Sequence, residues 1–303
     1  MAPPVEARAG FPVEADFLED VRSQMINLLR RSGFNVDRTT AVARTCELYF
    51  NACRRHIEPR PRRAHISREL SARRLSLMER RGLKAVERLS ESGGNLNPFL
   101  SKRIKDLEYN DLLLNDWGIH HMHLDVDSPG KGGFVHRSGP LLFARVEADD
   151  LYLIDVLGHE PRTNFANDSL LRTLHANWPQ ILEPRRLVGV RVPTDLFTPD
   201  ERLTLRRKRL SVADAIGDAV FLPLGGGSVS SGLSLEVRIR ADRLLNAARS
   251  LELQCREHAA RIAPAIEEKT GRKLGKLVLR MECGNDLRVV ELQTNTLLWS
   301  GTP

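Results

Sequence analysis

The sequence predicts an α+β protein with a helical, basic N-terminal region, a small antiparallel sheet and a second α+β unit at the C-terminal end. Three observations support this prediction. Apolar residues recur at helical spacing through most of residues 14–115. Strand-length runs rich in apolar residues then follow at 118–124, 140–147 and 151–158. From residue 196 onward, strand-like and helical patterns occur together again.

The composition is that of an ordinary globular protein. The chain has 303 residues, 41% of them hydrophobic and 28% charged, which allows a sizeable core and two or three domains. The uncharged apolar runs are far shorter than the ~18 residues of a membrane span, and the first residues lack the layout of a secretory signal. We therefore expect a cytoplasmic, bacterial-type protein with no membrane partner. The four cysteines form no Cys-x-x-Cys pair, so we expect reduced packing residues.

Changes in pattern divide the chain into four segments. Three prolines and no periodicity indicate a flexible arm over residues 1–13. A helical basic region over 14–115 and an antiparallel sheet unit over 116–195 follow. The last segment, 196–303, is predicted to be a C-terminal α+β unit.

The helices of the N-terminal region have recognisable start signals. The first begins near Glu14 and the second near Asp37 or Thr39. Ser67 can cap a third helix that runs to about Ser90, and Asn97 followed by Pro98 can begin a fourth that runs to about Leu114.

The later segments alternate strands and helices. The acidic turn at 147–150 joins two of the strands into a hairpin, so antiparallel pairing is expected. Asn167 or Asp168 can cap a short helix, and Thr198 with Pro199 and Glu201 is a strong start for a basic helix that extends to 218. Further strands are predicted at 187–192, 219–224, 233–239, 276–283 and 287–293, with a long helix at 241–262.

The net charge of +7 is concentrated in one segment. Between Arg54 and Arg88, twelve Lys or Arg residues face four Glu residues. Such clustering is typical of a surface that binds a polyanion, although a solvated helix face has the same pattern. The candidate nucleic-acid contacts are Arg54, Arg55, Arg60, Arg62, Arg63, Arg73, Arg74, Arg80 and Arg81, together with Arg206, Arg207, Lys208 and Arg209.

Three histidines fall within four residues on the first predicted strand. Because side chains alternate along a strand, His121 and His123 share one face with Ile119, while His120 lies on the other. If the following hairpin covers the first face, its companions are Arg137, Arg145, Asp155 and His159.

Three interpretations of these histidines remain open. His121, His123 and His159 can form a metal site, since His-x-His on a strand is a usable ligand spacing. They can instead act as general acid and base in metal-free RNA cleavage, with an arginine on the phosphate, because the pKa of histidine lies near ~6.5. They can also be structural histidines.

The stretch Arg137 to Val146, the short acidic turn and Leu151 to His159 resemble the core sheet of RelE/YoeB-type ribonuclease toxins. The resemblance covers roughly residues 98–180. In that family a basic residue precedes a strand, a hairpin follows, and a histidine can close the last strand. The resemblance implies an RNA-cleaving toxin with Arg137, Arg145 and His159 as site candidates, and a protein antitoxin as partner.

The leading functional prediction is a metal-independent endoribonuclease of toxin or defence type that needs no cofactor. His121, His123 and His159 would transfer protons, and Arg137 or Arg145 would stabilise the phosphate. The first alternative is a non-catalytic protein that binds RNA or another nucleic acid and has structural histidines. The second alternative is a metal-dependent hydrolase.

Overall fold

The computed structural model describes residues 11–127, 131–190 and 197–302. Helices and several small sheets of mixed pairing make up these residues, so the α+β prediction is confirmed. Within these ranges, no helix combines the length and apolar character needed to cross a membrane. Most of the predicted arm at 1–13, and the end of the predicted strand at 187–192, lie outside the described residues.

Short 3-10 turns lie between some of the helices of the described residues. In chain order, the helices are α1 (Phe17–Arg31), α2 (Val42–Arg55), α3 (Arg68–Ala72), α4 (Leu77–Ser92), α5 (Leu112–Trp117), α6 (Ser169–Asn177), α7 (Pro199–Arg207), α8 (Leu235–Glu257) and α9 (Ala259–Thr270).

The strands form three sheets. In chain order, the strands are β1 (Val13–Glu14), β2 (Arg63–Ile66), β3 (His120–Asp125), β4 (His136–Val146), β5 (Asp150–Gly158), β6 (Arg186–Leu187), β7 (Asp214–Ile216), β8 (Ala219–Phe221), β9 (Leu277–Cys283), β10 (Leu287–Glu291) and β11 (Thr296–Gly301). The sheet orders are β1-β9-β10-β11, β2-β5-β4-β3 and β6-β8-β7.

The chain divides into two compact units, one of Met1–Phe50 with Arg238–Pro303 and one of Asn51–Val237. This division differs from the four consecutive segments expected from the sequence. The reason is that β1 pairs in parallel with β9, with Val13 opposite Leu277. The predicted helical region is therefore shared between the units, because a pairing between such distant positions leaves no local sequence signal.

The first unit packs its helices on its four-stranded sheet. One apolar core joins Phe17, Val21 and Met25 of α1 to residues of α8, α9, β9 and β10. Trp299 of β11 packs against this core. The strand β11 itself was not predicted from the sequence.

In the second unit, the four-stranded sheet is covered on both faces. β3 pairs antiparallel with β4, with His121 opposite Phe143, and β4 pairs antiparallel with β5, so the predicted hairpin is confirmed. Met122 and Leu124 face one apolar core, and Ile119 faces the other with Phe143. The two cores fix which side of β3 carries His121 and His123.

Several predicted elements begin or end elsewhere. The helix expected from Ser67 to Ser90 is interrupted, because Ser76 starts α4 afresh through a capping box with Glu79. The segment 97–115 forms two 3-10 turns before α5. The prediction of a strand at 233–239 is wrong, since α8 already begins at Leu235. In this last case helical and strand patterns are locally similar over a short apolar run.

Gly82 lets α4 lie directly against β3. A Cβ atom at this position would come within 2.0 Å of the backbone oxygen of Leu124. We expect Gly82→Ala to lower the free energy of unfolding by roughly 1–3 kcal/mol or more, because backbone must shift to make room. Gly275→Ala is the control, since a Cβ there meets nothing within 4 Å. Urea unfolding of both variants tests this, and equal stability of the two would contradict the close packing.

Candidate functional site

The second unit contains a cavity of about 680 Å³ that brings four sequence-predicted residues together. His121, His123, His159 and Arg137 all line it, and we call it the histidine cavity. The histidine strand and the following hairpin therefore converge on one cavity.

The sheet positions these side chains through its hydrogen-bond register. His121 and His123 lie two residues apart on β3, opposite Phe143 and Leu141 of β4. His159 follows the end of β5 and donates its backbone N–H to the carbonyl of Gly139, at 2.7 Å. That bond holds the end of β5 beside the beginning of β4, where Arg137 lies.

Phe165 joins two of the histidines. Its ring lies edge-on to the rings of His121 and His159, with centroid distances of 5.3 and 5.7 Å. Phe143 supports Phe165 from the core, at 5.6 Å between centroids. Both imidazoles therefore border the same aromatic ring at the cavity.

Asp111 is the one carboxylate among the residues that line the cavity, and it faces His121. Its Oδ2 atom lies 3.8 Å from His121 Nδ1, which is longer than a hydrogen bond. Its Oδ1 atom accepts from the backbone N–H groups of Leu113 and Leu114, so Asp111 also caps α5. The cap fixes the carboxylate at the cavity wall.

Burial lowers the pKa of His121, and Asp111 opposes that shift. The neighbouring His159 and Arg137 lower the pKa of His121 further. Because the net shift is downward from 6.5, His121 is neutral at pH 7 and can accept a proton.

Arginine dominates the electrostatics of the cavity. Its lining residues include Arg103, Arg137, Arg162, Arg206 and Arg207. Arg103 stacks on the ring of Tyr109 at 4.2 Å, and Arg137 donates to the hydroxyl of Ser101 at 3.0 Å. Arg206 is paired with the buried Asp116, and Arg162 lies 3.8 Å from Glu160. Arg103, Arg137 and Arg207 are therefore the cavity guanidinium groups that suit an anionic ligand, since a planar guanidinium matches phosphate geometry.

Arg145 does not line the histidine cavity. It pairs with Glu147 at 2.6 Å and lies near Gly118. It lies eight residues from Arg137 along β4, roughly 26 Å of extended strand. Of the two predicted phosphate-binding arginines, only Arg137 lines the histidine cavity, whereas Arg145 lies near the buried His120. Asp155, the other predicted companion, is held by Arg73.

Most of the predicted nucleic-acid contacts are engaged within the protein. Arg55 and Arg62 are buried and donate to backbone carbonyls. Ion pairs hold Arg54, Arg60, Arg63, Arg73, Arg81 and Arg206. The exposed residues Arg74, Arg80, Lys208 and Arg209 lie outside the cavity lining. Within the predicted set, only Arg206 and Arg207 line the cavity, so the other predicted contacts lie outside it.

The described residues contain no group of three or more His, Cys, Asp or Glu side chains placed to hold one metal ion. His121, His123 and His159 therefore share a cavity without forming a ligand set, and the geometry gives no support to the metal-site interpretation.

Sequence reasoning missed Asp111, Arg103, Arg162, Tyr109 and Phe165 as cavity residues. One signal was available, since Asn110-Asp111 before three leucines is a typical helix start. The others come from turns whose position depends on tertiary packing.

His120 lies on the opposite face of β3, as predicted from strand alternation. It is buried, and neither ring nitrogen has a hydrogen-bond partner. Burial lowers the pKa of His120 to about 4, against the opposing effect of Asp111, and Arg54, His121 and Arg145 lower it as well. His120 is therefore a neutral structural histidine.

The comparisons with known proteins give no relative. Neither a protein-family model, nor a curated protein, nor a solved structure shows a significant match to this chain.

We expect His120 to reduce stability in acid. The unfolded chain binds a proton at this ring near pH 6.5, whereas the folded protein binds it only near pH 4. The free energy of unfolding therefore falls as the pH drops from 6.5 to 4, by on the order of 3 kcal/mol from this group. His120→Leu does not have this loss. The free energy of unfolding of His120→Leu minus that of wild type should therefore rise by on the order of 3 kcal/mol as the pH falls from 7 to 4. Urea titrations at both pH values test this, and a difference that is independent of pH would contradict it.

Proposed function

We propose that this protein is a metal-independent endoribonuclease that uses histidine general acid–base catalysis. One observation carries the proposal: His121, His123, His159 and Arg137 line the same arginine-rich cavity. The toxin or defence role, and an antitoxin partner, rest on the resemblance to RelE/YoeB-type toxins and stay predictions.

His121 is the proposed general base. Its side chain is only 13% exposed, and its lowered pKa keeps it neutral. With Nδ1 directed toward Asp111, we assign the proton to Nδ1 and the basic lone pair to Nε2. Nε2 removes the proton from a ribose 2′-hydroxyl, and the resulting oxygen attacks the adjacent phosphorus.

His159 is the proposed general acid. Its side chain is 50% exposed, so its imidazolium form keeps contact with water. It gives its proton to the departing 5′-oxygen as the phosphorus–oxygen bond breaks, which leaves a 2′,3′-cyclic phosphate and a 5′-hydroxyl.

Arg137 stabilises the charge on the phosphate. Its guanidinium is oriented by the hydroxyl of Ser101 and stands on the same cavity wall as Gly139. Preorganised cations in a partly enclosed site stabilise developing charge more strongly than they would in water. His123 lies two residues from His121 on β3 and is buried, so we assign proton transfer to His121 and His159 alone.

We expect the purified protein to cleave RNA in EDTA, and His121→Ala and His159→Ala each to lower kcat/KM by roughly 10²–10³-fold, because each removes one proton-transfer partner. Gel analysis of a labelled RNA gives the rates. His258→Ala is the control, since His258 is exposed and belongs to the other unit.

The His159→Ala variant is the more decisive of the two, because an exposed side chain can be removed without creating a core cavity. RNA binding without cleavage by wild type would show that the nuclease proposal is wrong and would favour a nucleic-acid-binding protein. Cleavage at the wild-type rate by both variants would assign the activity to other residues.

Asp111→Asn should move the acidic limb of the pH profile. Asp111 raises the pKa of His121, so its loss lowers that pKa, and His121 stays neutral to lower pH. The acidic limb of kcat/KM should therefore shift downward, while the plateau rate falls because the imidazolium formed during catalysis loses its counter-charge. Asparagine keeps the helix cap, since the two residues cap equally well. A profile that is unchanged would remove Asp111 from the mechanism.

A further inference from the structure

The arginines of the histidine cavity come from two separate groups of elements. Arg137 and Arg103 belong to the first group, since Arg137 bonds Ser101, two residues from Arg103. Arg162 and Arg207 belong to the second group, which consists of the 162–166 turn and the last turn of α7. The proposed reaction at one phosphate uses only the first group.

A buried ionic network holds α7 against the rest of the cavity. Arg202 pairs with Asp214, and Arg206 pairs with Asp116 at 2.6 Å, with all four side chains buried. Trp117 lies among them, with the Arg206 guanidinium 3.9 Å from its ring centroid. Trp117 also donates to Asp214 at 3.1 Å.

Stabilisation alone does not account well for this network. Burying two ion pairs costs desolvation energy that often cancels the attraction between the charges. The network does fix the position and direction of α7, since each buried guanidinium needs its own partners. Arg206 also donates to the backbone oxygen of Phe165, which ties α7 to the turn that carries Phe165 and Arg162.

Arg207 is the next residue after Arg206, and it is exposed at the cavity. It makes no ion pair with any carboxylate in the described part of the chain. A rigid helix thus presents an uncompensated guanidinium to a cavity that already holds a phosphate-binding arginine.

We infer that Arg207 forms a second phosphate subsite, so that the substrate is an RNA strand with at least two consecutive internucleotide phosphates in the cavity. The first phosphate is cleaved beside Arg137, and Arg207 binds its neighbour. This inference rests on the proposed ribonuclease function.

The kinetic test compares a dinucleoside monophosphate with a trinucleoside diphosphate. Wild type should cleave the trinucleoside with a kcat/KM at least ~10-fold higher, because an additional charge-assisted contact contributes about that much. In Arg207→Ala the ratio should fall close to one. Arg261→Ala is the matched control, since Arg261 is an exposed helical arginine of the other unit, and it should keep the wild-type ratio.

A binding test separates the inference from the nuclease proposal. The probe is a fluorescent trinucleotide with 2′-deoxyribose, which lacks the attacking hydroxyl, and its affinity is measured by anisotropy at several salt concentrations. Each phosphate contact contributes ~0.7 to the log–log salt slope on single strands, so Arg207→Ala should lower the slope by ~0.7, and Arg261→Ala should not.

The outcomes are distinguishable. A reduced slope in Arg207→Ala without RNA cleavage by any form would support the phosphate subsite and overturn the nuclease proposal. Cleavage by wild type, with equal slopes and equal substrate ratios in both variants, would overturn the subsite alone. Absence of binding to any oligonucleotide would overturn both.

Discussion

The register of β3 is the constraint on which the site depends. Met122 and Leu124 are buried in one apolar core and Ile119 in the other, so both faces of the strand are specified. A shift by one residue would exchange the faces and place His120 where His121 now stands. His121 lies opposite Phe143 in the sheet, and Phe165 packs on Phe143. Phe165 therefore also contacts His121, the proposed general base.

The arginines of this chain have two kinds of role. Arg55, Arg62, Arg202 and Arg206 are buried and satisfy carbonyls or carboxylates, so they act as structural cross-links between elements. Arg103, Arg137 and Arg207 instead keep their guanidinium groups at the cavity. The four buried arginines therefore stabilise the fold, whereas folding brings the three cavity arginines together from separate parts of the chain.

Local sequence patterns predicted part of the fold and of the site. The rest depends on contacts between residues far apart in the sequence. Strand alternation predicted that His121 and His123 share a face, and the hairpin after it was predicted from the acidic turn at 147–150. The contribution of Asp111 could have been found from its capping position. No local signal places β1 beside β9, or Phe165 and Arg207 at the cavity, because each depends on contacts between residues far apart in sequence. Arg145 was a reasonable candidate by strand position, since it lies two residues from Phe143, which is opposite His121. Its guanidinium nevertheless pairs with Glu147 and lies beside Gly118, so it does not line the cavity.

The central claim is that the histidines activate a ribose 2′-hydroxyl against the neighbouring phosphate. The most direct measurement identifies the new 3′ end by mass spectrometry after digestion of an RNA oligonucleotide in EDTA. Attack by the 2′-oxygen should leave a 2′,3′-cyclic phosphate, and one 2′-deoxyribose at the cleavage position should abolish that cut. A 3′-hydroxyl end, or unchanged cleavage of the deoxy-substituted strand, would mean that water is the nucleophile and would contradict the proposed mechanism.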